Sequence, residues 1–218
     1  MMKRALFAVS TSLLLIGGSA YPAAATADRQ WRPLAVGGFI DYQLNGKHQR
    51  HPVSSFSLPS AYYKLSGGTE EFGLKTSASN RMEHDTDDHY RSGRRQFEGD
   101  LQIYPGISQQ SVVQVFGGGP GGPILMIKAY GRNNGSLVVT RDTSKDMITN
   151  GFNGAKIRVR IVHDVGAHRL TIYINGAQKW TGADAGTSYK GGYNIKYGLY
   201  GSLNSATHTV WTGVTISS

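Results

Sequence analysis

The sequence predicts an all-β chain, an antiparallel sandwich or jelly roll. Three observations carry this reading. Short alternating or apolar runs recur along the chain. Gly, Asn, Asp and Pro separate them. No long amphipathic helix follows the N-terminal segment.

The N-terminal segment stands apart. Met1-Met2-Lys3-Arg4 is a short basic start, residues 5–16 are mostly apolar, and Ala25-Thr26-Ala27 has the small residues of a cleavage site. This predicts a secretory signal peptide over 1–27, and a secreted or periplasmic protein. The apolar part is shorter than a membrane span requires, so no membrane contact is expected after cleavage. Residues 28–218 then form one β-domain, with no internal repeat or linker.

The runs follow in order at 100–104, 112–116, 124–130, 136–140, 156–163, 169–174, 196–200 and 207–216. Asn175-Gly176 should turn 170–174 into a short strand at 178–180, because both residues tolerate positive φ. Residues 164–167 should close the hairpin before it. Residues 117–123, Gly-Gly-Gly-Pro-Gly-Gly-Pro, read as a flexible surface loop. They lack the Lys-Ser/Thr ending of a phosphate-binding loop.

Composition narrows the chemistry. The chain has no cysteine, which removes disulfides, thiol catalysis and cysteine-based zinc sites. Its seven histidines are scattered without zincin spacing, so no metal or other cofactor is expected. Without residues 1–27 the chain keeps 21 Lys and Arg against 14 Asp and Glu, a net charge of +7. That excess suits a polyanionic partner, and the absence of any nucleic-acid motif argues against nucleic acid. Glu98 and Asp100 would share a face, like the carboxylates of a β-sandwich glycosidase. Gln102 stands where a third would be, and hydrolysis needs two well-placed carboxyl groups.

Three segments carry candidate site residues. In Tyr193-Asn194-Ile195-Lys196-Tyr197-Gly198-Leu199-Tyr200, strand parity puts Lys196, Gly198 and Tyr200 on one face and Tyr197 and Leu199 on the other. A cation and a phenol then flank a gap, a place for an anionic group beside a proton donor. In Asn80-Arg81-Met82-Glu83-His84-Asp85 the same parity groups Arg81, Glu83 and Asp85, with Met82 and His84 opposite. In Val112-Val113-Gln114-Val115-Phe116 one amide sits among apolar residues. It is either satisfied core polarity or a donor aimed at a carboxylate.

Taken in order, Arg81-x-Glu83, Gln114-Val115-Phe116 and Tyr193-x-x-Lys196-x-Gly198-x-Tyr200 resemble the alginate-lyase jelly roll of polysaccharide lyase family 7. That family carries Arg-x-Glu-x-Arg, Gln-Ile-His and Tyr-Phe-Lys-x-Gly-x-Tyr strands on one concave sheet. Tyr173-Ile174-Asn175-Gly176 also fits its pattern, and the resemblance covers roughly 34–218. Tyr90-Arg91-Ser92-Gly93, Gln96-Phe97-Glu98-Gly99, Gln114-Val115-Phe116-Gly117 and Val162-His163-Asp164 are similar to the plant citrate-binding-protein relatives. Glucuronan lyases share the outline. Two positions depart: Phe116 stands where the family has histidine, and Asp85 where it has arginine.

The resemblance implies a concanavalin A-like sandwich of two antiparallel sheets. It implies a monomeric lyase that cleaves an acidic polysaccharide, alginate or glucuronan, by β-elimination. Arg81 and Gln114 would hold the uronate carboxylate, with Glu83 orienting Arg81. Tyr200 would act as acid and, in a syn elimination, also as base. Lys196 would favour the phenolate and bind a neighbouring sugar carboxylate. Arg95, His84 and His89 complete the expected substrate-binding set. The other reading of the same face is a non-catalytic module for acidic glycan or for a small polycarboxylate such as citrate.

Overall fold

A computed structural model describes residues 31–117, 122–141, 144–184 and 191–218. The expected signal peptide and most of the glycine-rich loop lie outside these residues. The described chain contains strands and no helix. They are β1 (Pro33–Leu34), β2 (Phe39–Leu44), β3 (Lys47–His51), β4 (Phe56–Ser57), β5 (Ala61–Ser66) and β6 (Thr69–Leu74). Then come β7 (Arg81–Asp85), β8 (Arg94–Ile103), β9 (Ser108–Phe116), β10 (Pro123–Tyr130), β11 (Ser136–Arg141) and β12 (Ser144–Asn150). The last are β13 (Lys156–Asp164), β14 (Arg169–Ile174), β15 (Ala177–Ala183), β16 (Asn194–Tyr200) and β17 (Thr207–Ser217).

The strands form two antiparallel sheets, the layers of a jelly-roll sandwich. One runs β15-β14-β13-β8-β17-β6-β5-β4, with β1 also paired to β17. The other runs β12-β11-β10-β9-β16-β7-β2-β3. The three segments that carry the candidate residues are therefore adjacent, as β9, β16 and β7.

The core lies between the sheets. Phe72, Phe97, Tyr197 and Trp211 meet there with ring centroids 5.3–5.8 Å apart, mostly edge to face. Each large apolar side chain removed from water contributes about 1.5–3 kcal/mol. A chain without cysteine depends on that term.

Most of the expected runs are strands, with shifted ends. The run at 100–104 belongs to the ten-residue β8, and Tyr104 has left the strand to stack on His208 at 4.1 Å. The turn at Asn175-Gly176 has φ of 50° and 81°, the pair of positive angles a two-residue hairpin needs. Asp164 Oδ1 accepts the Ala167 amide at 3.0 Å and closes the hairpin between β13 and β14.

The strands before residue 75, and β12, had no counterpart among the expected runs. Their sequences explain this. β3 reads Lys-His-Gln-Arg-His and β12 Ser-Lys-Asp-Met-Ile-Thr-Asn, so alternation has little apolar pattern to mark.

One irregularity shapes the site. Val112 has no partner in the register of β9 with either neighbour: β10 passes it in one step and β16 in three. Ile127 pairs with Val113 but Lys128 with Ser111, and Tyr197 pairs with Val113 but Tyr200 with Ser111. This is a β-bulge, and it changes the side to which the first half of β9 presents its residues.

Candidate active site

Cross-strand register aligns the candidate residues on the outer face of the eight-stranded sheet. One row is Met126, Gln114, Lys196, Asp85 across β10, β9, β16 and β7. Beyond the bulge another row is Lys128, Ser111, Tyr200, Arg81 across the same strands. Between them Gly198 pairs with Glu83, and Glu83 with Asp41 of β2. Side chains on one face of paired strands are direct neighbours, so a compact polar cluster follows from register alone.

The Gln114 amide of β9 donates to Glu83 Oε1 of β7 across the intervening β16. Both residues are buried. Arg81 Nη1 donates to Asp41 Oδ2 at 3.0 Å and lies 2.9 Å from Glu83 Oε2. Lys196 Nζ donates to the same Asp41 Oδ2 at 3.0 Å and forms an ion pair with Asp85 Oδ2 at 2.8 Å. Asn194 Nδ2 donates to Asp85 Oδ1 at 3.0 Å.

Three carboxyl groups thus surround two cations. Desolvation dominates at Glu83 and pushes its pKa up to about 7, against the pull of Arg81, Lys196 and the Gln114 hydrogen bond. Burial works to lower Lys196, but Asp85 and Asp41 outweigh it and raise its pKa. The gap expected between Lys196 and Tyr200 is therefore spanned by the Glu83–Gln114 pair.

Tyr200 differs from this cluster. Arg81 lies over its ring at 4.3 Å from the centroid, and its hydroxyl makes no hydrogen bond with the described residues. Tyr200 lines a cleft of about 350 Å³ together with Asn80, Gln109, Met126, Lys128 and Asn204. Among the described residues, no aspartate or glutamate lines it. The cation beside the phenol is Arg81, whereas Lys196 is held by Asp41 and Asp85 and sits 5.1 Å from the Phe116 ring centroid.

Three expected substrate-binding residues do not join this face. His84 is buried in the sandwich interior, because its parity is opposite to that of Arg81 and Glu83. Its Nδ1 is 2.8 Å from both Glu70 Oε1 and the Tyr197 hydroxyl. Arg95 belongs to β8 in the other sheet, where its Nε donates to Asp88 at 2.9 Å. His89 lies outside the strands and pairs with Asp87 at 3.2 Å.

Sequence reasoning missed Asp41, the anchor of both cations. The signal available was an acid between Ile40 and Tyr42 in the alternating run of β2. It also missed Asn194, Lys128 and the interior acid Glu70. Tyr63 donates to Glu70 at 2.7 Å and Tyr197 donates to it as well. Burial alone would raise the Glu70 carboxyl, but His84 and the two phenols outweigh it and hold its pKa low. This interior network underlies the Lys196–Tyr200 strand. Among the described residues, no group of three or more His, Cys, Asp or Glu side chains could hold a metal ion.

Comparison with known proteins agrees with the fold. The structure superimposes on the alginate lyase AlgAT5 of polysaccharide lyase family 7 with a TM-score of 0.63, covering 83% of this chain and 94% of that one at 18% identity. The chain has the alginate-lyase fold. It also matches the alginate lyase AlyC3 in complex with dimannuronate at a TM-score of 0.62, 10% identity, and coverage of 83% and 89%. In sequence it is 32% identical over 119 residues, 55% of this chain, to a citrate-binding protein of Hevea brasiliensis. The chain spans about half the length of that relative, 46%. No protein-family model matches it.

On this fold, the two departures have local partners. Asp85 holds Lys196 and Asn194, and Phe116 packs under the Lys196 ammonium. The interior aromatic and carboxyl network braces the same strand from behind.

Proposed function

We propose that this chain is an exported polysaccharide lyase that cleaves a 4-linked uronic-acid polymer, alginate or glucuronan, by β-elimination. The single observation behind this reading is the Tyr200 hydroxyl. Among the described residues it has no hydrogen-bond partner, and it lies at a polar cleft with Arg81 against its ring and Gln114 on the same face.

The chemistry follows from the substrate. The proton at C5 of a uronate is weakly acidic while the adjacent carboxylate carries full charge. Fixed donors that neutralise the carboxylate lower the barrier most. Arg81 and Gln114 supply N–H groups for this, after exchanging part of their contact with Glu83 and Asp41. Tyr200, as phenolate, removes the C5 proton. The C5 electron pair forms the C4–C5 double bond as the C4–O4 bond breaks. The same Tyr200 proton passes to the departing oxygen. One residue serves both steps because no histidine stands at 116.

A second reading rests on the internal ion pairs. Asp41 and Asp85 already hold Lys196, and Asp41 also holds Arg81. Cations held this way suit a site that binds an acidic glycan or a small polycarboxylate without turning it over. The similarity to a citrate-binding protein supports this alternative.

One assay separates them. The chain is incubated with polymannuronate, polyguluronate and glucuronan, and the ultraviolet absorbance of unsaturated uronate is followed. The lyase reading expects product from at least one polymer, and a loss of about 10²–10⁴-fold in Tyr200→Phe. Full activity in Tyr200→Phe overturns the tyrosine assignment. No product from any polymer, with calorimetric binding of one of them or of citrate, selects the binding module.

A further inference from the structure

We infer that the cleft beside Tyr200 is a subsite for a sugar carboxylate, and that Lys128 is the residue that grips it. This rests on the reading that the outer face takes an acidic glycan, by cleavage or by binding alone.

The argument begins with the fate of each cation on that face. Arg81 is held by Asp41 and Glu83, and Lys196 by Asp41 and Asp85. Lys128 forms no ion pair with the described residues, yet it is half-buried in the wall of the cleft. A half-buried ammonium without a carboxylate lacks both bulk solvation and a counter-charge. An incoming anion supplies the second.

The rest of the lining fits a sugar. Asn80, Gln109 and Asn204 present amides, each able to donate and accept, as a ring of hydroxyl groups requires. Met126 provides an apolar surface for a pyranose face. With no acidic side chain among its described lining residues, the cleft favours negative charge. Its volume of about 350 Å³ lies in the range of small-ligand sites.

Register fixes the distance to the chemistry. Lys128, Ser111 and Tyr200 are successive neighbours in one row. Strands lie about 4.8 Å apart, so Lys128 is about two strand spacings from Tyr200. The cleft runs from Tyr200 to Lys128, so a carboxylate gripped by Lys128 belongs to the sugar next to the one whose proton Tyr200 would take. Gln110, turned inward beyond the bulge, donates to the Ser202 carbonyl and fixes the turn that forms the far wall.

The test is calorimetric titration of the full chain carrying Tyr200→Phe, which stops turnover. The probes are tetramannuronate and tetraglucuronate, with the carboxyl-free mannotetraose and cellotetraose as counterparts. Lys128→Gln should weaken tetrauronate binding about tenfold, the value of one charge-assisted hydrogen bond, and make it less salt-sensitive. Binding of the neutral tetramers should not change, and Lys128→Arg should restore most of the affinity. Thermal melts confirm that each variant is folded. Equal tetrauronate affinity in Lys128→Gln overturns the assignment, as does failure of both tetrauronates to bind the Tyr200→Phe chain. Lys128-dependent binding without product from the wild type supports the subsite and removes the lyase reading.

Discussion

Glu83 and Gln114 sit on strands that are not neighbours, β7 and β9, and they hydrogen-bond across the outer face of β16 between them. The residue of β16 opposite Glu83 is Gly198. A side chain there would point toward the Phe72 ring in the core, so the glycine lets β16 lie close to β7 and to the layer beneath.

Gly198→Ala should therefore be severe. Its Cβ would lie 2.5 Å from the Met82 carbonyl oxygen and 2.8 Å from Phe72 Cδ1, on a residue with φ of +134°. A loss of about 2–4 kcal/mol is expected by denaturant unfolding. Gly176→Ala is the control. A Cβ there meets nothing within 4 Å, and only its φ of +81° is unfavourable, so about 1 kcal/mol is expected.

Asp41→Asn should unbalance the cluster. Asp41 Oδ2 accepts from both Arg81 and Lys196, so losing its charge leaves two half-satisfied cations. A stability loss of about 3 kcal/mol, or about 6–12 °C in Tm, is expected. The affinity for an oligouronate or citrate should rise at the same time. Calorimetry at matched salt checks the second effect, and unchanged affinity would show that Asp41 does not restrain the cations.

Glu83 should give stability an inverted pH dependence. Its pKa rises from 4.5 to about 7 on folding. Between those values the folded chain holds a proton that the unfolded chain has released, so stability falls as pH rises through the window and levels above about 7. Glu83→Gln removes this slope. Its stability relative to wild type should improve by about 2–3 kcal/mol between pH 5 and pH 8. Thermal melts across that range provide the comparison.

His163 should act in the opposite direction. It is fully buried between Tyr90 and Asp184, with Tyr193 and His168 on the same carboxylate. Desolvation lowers its pKa from 6.5 despite Asp184 and Asp164. Below 6.5 the unfolded chain takes up a proton that the folded chain refuses, so this contribution is lost as pH falls. The acid limb of the melting curve should flatten in His163→Gln relative to wild type, after each variant is referenced to its own value at neutral pH.

Parity made part of the site readable. It grouped Arg81 with Glu83 and Lys196 with Tyr200 because side chains alternate along any strand, whatever its neighbours. It could not show that β2 lies beside β7, so Asp41 stayed invisible. That pairing joins residues some forty positions apart, and no local pattern encodes it. Parity also placed His84 on the face opposite Arg81, but the sequence did not reveal Glu70 waiting there. Arg95 was expected to bind substrate, but it lies on β8 in the other sheet, and no local pattern says to which sheet a strand belongs.

The outer face has two parts with different freedom to change. On one side, buried acids and bases depend on one another, and altering any of them disturbs the others. On the other side, Met126, Lys128 and the turn at residues 201–204 line the cleft without entering that network. Substitutions there can change the cleft and leave the ion-pair cluster intact. That separation gives one scaffold room to reshape its cleft without rebuilding its ion pairs.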